Sequence, residues 1–147
     1  MHKTAAKPDV FYFRLFEVAF FSSLISNITN NVPGFEVGSP AVKDFVLKTL
    51  IAVQAQEELH ALGANGILTS AGATPIQPCK YIFPSADFDS AINFARTFTD
   101  VVLGTLQDAQ NGLAVNGDDS LVALIGSVIG QEGEQVSVTA SRERVQR

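Results

Sequence analysis

The stretch Gln54-Ala55-Gln56-Glu57-Glu58-Leu59-His60-Ala61 decides how the rest of the chain is read. Glu57 and His60 stand three residues apart in a segment that reads as a long helix, and residues at i and i+3 share one helix face. Leu50 and Val53 precede the pair at helical spacing, and Ala61 and Ala64 follow it. The pair therefore projects from the apolar stripe and not from the solvated side. A buried carboxylate and imidazole are costly unless paired or bound to a metal. Glu-x-x-His on an inward helix face is the ligand unit of carboxylate-bridged di-metal bundles. The motif also arises by chance, so its weight depends on whether other helices aim carboxylates at it. A lone His on an apolar face is usually a hydrogen-bonded core residue; the same-face Glu57 keeps the ligand reading level with that one.

The surrounding chain is 147 residues long, about one domain, and that length can bury a sizeable core. Eleven Phe, two Tyr and no Trp within a 46% hydrophobic composition predict a Phe-rich core. The net charge is -5, and the basic residues are scattered apart from Arg142, Arg144 and Arg147. No nucleic-acid footprint is expected from that distribution. The single Cys79 rules out an internal disulfide in a monomer and leaves the compartment open. Met1 to Val10 lacks the apolar centre of a signal peptide. The run Val10 to Phe21 is interrupted by Arg14 and Glu17 and is too short to span a membrane, so no transmembrane segment is expected. Asn27-Ile28-Thr29 is a glycosylation sequon, thin evidence near a helix end.

Four helical segments are expected. The first runs from Asp9, preceded by Pro8 and suited to an N-cap, to about Asn30. Val10, Phe13, Glu17, Phe20, Phe21 and Leu24 line one face, and Phe11, Leu15, Val18 and Ile25 a second. Glu17 is then either a core-facing carboxylate among aromatics or a residue at the stripe's edge that reaches water. After a turn with Pro33, Gly34 and Gly38, Ser39 caps the second helix with Pro40 at its first position. Val42, Phe45, Val46, Leu50 and Val53 lead along it to Glu57 and His60, and the end falls near Ser70 to Gly72. Thr74 to Ala86, with Pro75, Pro78 and Pro84, is a long connection in which Tyr81-Ile82-Phe83 forms either a short strand or an extended strap.

The third helix starts at Asp87 or Asp89, with Ala91, Phe94, Phe98, Val101, Thr105 and Asp108 expected inward and Asp100 peripheral. Asn116-Gly117-Asp118 makes the next turn. The fourth helix begins near Asp118, with Leu121, Leu124, Ile125, Val128, Glu132, Gln135 and Val136 on one face. Glu132 and Gln135 repeat the spacing of Glu57 and His60 with an amide in place of the imidazole. Gly126, Gly130 and Gly133 lower helix propensity there and are expected to admit another helix closely. Phe13, Phe20, Leu50, Val53, Phe94, Phe98, Leu124 and Val128 are the expected core. The core should occupy about 9–136, leaving a polar tail at 137–147 that frays from Ser141 on.

Four long helices, Glu17 on the first, Glu57-x-x-His60 on the second and Glu132-x-x-Gln135 on the fourth resemble the ferritin-like superfamily. The connection Gln77-Pro78-Cys79-Lys80-Tyr81-Ile82-Phe83-Pro84 before Asp87-Phe88 is similar to the crossover of a smaller group. That group is the ferritin-like domain proteins of fungi and plants tied to stress, desiccation and sexual development. The resemblance spans roughly residues 9 to 136. It implies an all-α, ferritin-like four-helix bundle with a long crossover between helices two and three, forming one domain over 1–147. It also implies carboxylate and His ligands around two metals. Glu17, Glu57 and His60 match the ligands of one, with Glu57 placed to bridge. Glu132 matches for the second, while Gln135 stands where di-iron oxidases usually carry His. The third helix has Thr99 followed by Asp100 where the family offers a mid-length Glu. The resemblance is compatible with a secreted protein.

Three functions compete. One is a metal-binding protein whose Glu17, Glu57, His60, Glu132 and Gln135 hold iron or manganese, acting if an enzyme as an oxidase dependent on that metal. One is a metal-free structural or interaction protein of stress or development with a decayed site. One is a binder of a small apolar ligand among the Phe side chains. A homodimer is a further open alternative. Carboxylates brought together repel, so in the absence of a cation at least one is expected to hold a proton, and a metal would displace protons on binding.

Overall fold

A computed structural model describes the backbone of residues 9–141 and the side chains of residues 15–137. The readings placed on Pro8, the Asp9 side chain, Val10, Phe11, Phe13 and the 142–147 tail fall outside these. Four helices are present among the described residues: α1 (Asp9–Thr29), α2 (Pro40–Ser70), α3 (Phe88–Val115) and α4 (Asp119–Ser141). No strand occurs among the described residues. No described helix is long and apolar enough to cross a membrane. α4 outlasts Val136 and stays helical to Ser141. The chain divides into two compact units, Phe11–Phe94 and the part from Ala95 onward, with α3 passing from one to the other.

In the first unit the helix starts follow local chemistry. The Ser39 hydroxyl accepts from the Val42 N–H at 3.5 Å, and Pro40 occupies a first-turn position whose N–H has no helical partner in any case. α3 opens with a reciprocal pair: the Ser90 N–H donates to Asp87 Oδ1 at 2.7 Å, and the Asp87 N–H donates to Ser90 Oγ at 3.1 Å. This is a capping box with Ser in the place of the usual Glu. The turn after α1 is tied to that start, because the Phe88 N–H donates to the Gly34 carbonyl at 2.8 Å. Gly34 has φ 88°, and a Cβ there would lie 3.1 Å from the Ala86 carbonyl oxygen and 3.2 Å from the Asp87 Cβ. Both the left-handed backbone and the close approach call for glycine.

The connection from α2 to α3 is an extended strap and not a strand. Asn65 of α2 clasps it, accepting from the Ile76 N–H at 2.9 Å and donating to the Ile76 carbonyl at 3.2 Å. Further on, side chains alternate as extended backbone requires: Tyr81 and Phe83 turn inward while Ile82 is 95% exposed. The Phe16 ring meets Tyr81, Phe83 and Phe94 with centroids 5.4–5.9 Å apart, all edge-to-face. Phe20 meets Phe83 and Phe94 likewise, at 5.3 and 5.6 Å. Such pairs add to the stabilisation from burial itself. Phe16 stood on neither of the two faces expected for α1; the strap is what covers it.

The expected core holds at Phe20, Leu50, Val53 and Phe98, which are buried. Phe94 and Val128 are half-buried. Three expectations fail. On α2 Val42 is 43% and Phe45 67% exposed, and the buried stripe starts at Val46, because a step of one residue turns a helix by about 100°. On α3 the buried stripe runs Ala91, Ala95, Phe98, Val102, Leu106, whereas Val101 is 50% exposed and Asp108 is exposed. A helix advances 3.6 residues per turn, and the neighbouring apolar pair Val101-Val102 let the wrong member be taken. On α4 Leu124 is 45% exposed; that helix is apolar on most sides in its first half, so periodicity does not single out one face. Within this second unit Gln110 Nε2 donates to the Val122 carbonyl at 3.0 Å and lies 3.0 Å from where a Gly126 Cβ would sit. Gly126 thus admits α3 closely, while Gly130 and Gly133 have open space around them.

Candidate metal centre

α2 carries two buried polar side chains on the face that also buries Val46, Leu50, Val53 and Ala61. Glu57 is 0% and His60 8% exposed. Glu57 Oε2 and His60 Nδ1 are 3.2 Å apart. With a proton on Nδ1 the ring donates to the carboxylate and leaves Nε2 with its lone pair. Charge-assisted bonds of this type settle at about 2.7–2.9 Å, so the contact is a long one. Two ligands each about 2.1 Å from one ion, at roughly right angles, lie about 3 Å apart. The pair therefore has the spacing of neighbouring ligands as well as that of a weak hydrogen bond.

In the same unit Glu17 of α1 is fully buried, which sets aside the reading in which its carboxylate reaches water. Glu58, one residue from Glu57, is exposed and accepts from Gln54 Nε2 at 3.2 Å. In the other unit α4 buries Glu132 (0% exposed) and Gln135 (3%), and α3 buries Thr99 (3%). Asp100 and Asp108 are exposed. Each residue predicted as a ligand is thus buried on its own helix, with Glu57 and His60 in direct contact. A buried carboxylate is costly unless paired, hydrogen-bonded or coordinated, and three are buried among the described residues: Glu17, Glu57 and Glu132. Carboxylate oxygens with one imidazole nitrogen form a hard donor set suited to iron or manganese. Thr99 is the buried polar residue that motif spacing did not count as a site residue; its position beside Asp100, where a carboxylate was sought, was the available signal.

Comparison with known proteins agrees with this fold. One solved structure, described as that of ferritin-like, diiron-carboxylate proteins from Bacillus anthracis str. Ames, superposes with a TM-score of 0.68. The match covers 90% of this chain and 94% of that one at 15% identity, a likeness of fold alone. No curated protein matches the sequence. The family model for the ferritin-like domain matches residues 12–143. This all-α chain therefore belongs to the ferritin-like domain family.

Proposed function

We propose that the protein binds a divalent metal, iron or manganese, with Glu17, Glu57, His60, Glu132 and Gln135 as its candidate ligands. The observation that carries this is the Glu57–His60 contact on the buried face of α2, in a chain that also buries Glu17 and Glu132 completely. Glu57 and His60 would supply a carboxylate oxygen and an imidazole nitrogen from one rigid helix, which fixes their mutual orientation. Glu132 would add negative charge to offset that of the ion, and Gln135 a neutral amide oxygen. A bound iron or manganese would supply Lewis acidity and, for iron, redox chemistry with oxygen. The chain's own part is to hold the donors dry and unprotonated. Thr99 in place of a carboxylate, with Asp100 exposed, supports one metal per chain and not two.

A second reading has its own support in that same Thr99: a site short of one carboxylate is a decayed one, and the chain then holds no metal and serves a structural or interaction role. We extend either reading to stress or development on the crossover Gln77–Pro84, the segment most similar to those fungal and plant proteins. The test is metal analysis of protein purified without chelator, followed by anaerobic titration with Fe(II) or Mn(II). About one equivalent of metal, lost in His60→Ala, supports the first reading. No uptake of either ion overturns it and leaves the structural one.

A further inference from the structure

α2 has a second apolar stripe, opposite the one that buries Glu57 and His60. It runs Phe45, Ala52, Ala55, Leu59, Leu62 and Gly66, with Lys48 the charged interruption. Phe45 is 67%, Leu59 66% and Leu62 70% exposed, and Ile51 beside them is 52% exposed. Phe45, Ala52, Leu59 and Gly66 are spaced by sevens, as are Lys48, Ala55 and Leu62, which is the heptad spacing of a helix-pairing seam. From Phe45 to Leu62 the seam is about 26 Å long at 1.5 Å per residue. Scattered exposed apolar residues need no explanation, but a contiguous helical row of them marks an interaction surface.

We infer that this face pairs with the same face of a second copy, antiparallel across a two-fold axis that passes between Ala52 and Ala55. The seam is self-complementary only in that sense. In the antiparallel arrangement Phe45 of each copy meets Leu62 of the other, and Ala52 meets Ala55, so the helices approach closely at their small residues. Lys48 then falls one residue from Glu58 of the other copy and gains an opposite charge. A parallel pairing would instead set Lys48 against Lys48, two like charges facing each other in the seam. The charges already near the seam do not oppose the antiparallel arrangement: Lys48 contacts Asp44 of its own helix at 2.7 Å with both side chains mostly exposed, an arrangement weak enough to give way. The contact is isologous, so it closes at the dimer. A single helix pair is a small interface, which sets the expected dissociation constant in the micromolar range.

Sedimentation equilibrium of the full chain, from about 1 to 200 µM to bracket that range, tests this. A concentration-dependent monomer–dimer equilibrium is expected. Leu62→Arg, at an exposed position where helicity by circular dichroism should be unchanged, is expected to weaken the dimer roughly thirtyfold or more. Lys48→Glu and Glu58→Lys are each expected to weaken it, and the double exchange to restore it. A chain that stays monomeric throughout overturns the proposal. So does a dimer indifferent to Leu62→Arg, or one in which the double exchange is no better than the single variants.

Discussion

His60 Nδ1 lies 3.2 Å from Glu57 Oε2, one helical turn along the buried face of α2, while Glu58 between them points to solvent. This separates the roles of two adjacent glutamates. His60→Ala is expected to lower affinity for Fe(II) or Mn(II) by at least about tenfold, the scale on which even supporting groups act at metal sites. Glu58→Ala should leave that affinity unchanged. Isothermal titration of the two variants against wild type is the check, and equal losses in both would count against the site.

The same logic applies to α3, where Thr99 is buried and Asp100 exposed. Asp100→Ala should leave both metal stoichiometry and affinity untouched. Crystals soaked in iron or manganese should show one anomalous peak per chain, and a second, well-occupied peak would show that the one-metal reading is wrong.

Phe98 is 5% exposed and Leu124 is 45% exposed. Phe98→Ala should therefore cost about 3–5 kcal/mol of stability, whereas Leu124→Ala should cost under about 1 kcal/mol, as half-exposed truncations do. Denaturant unfolding of both variants measures the contrast.

Gly34→Ala sets a Cβ against the Ala86 carbonyl oxygen and the Asp87 Cβ at a backbone φ of 88°. A loss of about 1–3 kcal/mol is expected from the left-handed strain alone, and the thermal midpoint should fall accordingly. Gly130→Ala, in open space inside α4, should instead raise it, since alanine is the better helix former.

Asp87 has a carboxyl held below the ordinary range, first by the hydrogen bond from the Ser90 side chain, then by the one from its backbone. A folded-state value below the unfolded one stabilises the fold above the unfolded value, about 3.9, and that contribution is lost as pH falls through the folded one. Wild type should therefore exceed Asp87→Ala in stability at pH 7, with the gap narrowing below about pH 4. A gap independent of pH would show that the carboxylate charge plays no part in the cap.

How much of this was legible in the sequence varies with the element. α2 is readable at both ends and, from Val46 on, along its inner face, because Ser39 and Pro40 mark its start and its buried stripe keeps one phase from Val46 to Ala61. Glu17 was legible only as a choice between core and edge, because apolar residues lie on two faces of α1 and periodicity cannot say which of them is covered. The inner face of α3 was misjudged beyond Phe98 where Val101 and Val102 are both apolar. Phe16 was missed for a different reason: its partners Tyr81 and Phe83 come from far along the chain, and no local pattern announces them. Phe45 stands in the apolar run that leads to Glu57 and His60, yet it is 67% exposed, because its neighbour Val46 is the one in phase with the buried stripe.

The strap between α2 and α3 has one more consequence. It is fastened at Ile76 by Asn65 and again at Tyr81 and Phe83 by Phe16, and Cys79 lies exposed between the two fastenings. It is also the chain's single thiol. A fluorophore attached there would be uniquely placed by ordinary maleimide chemistry, outside every contact described. Its emission would then report whether the strap stays down or lifts, separately from the melting of the helices beneath it.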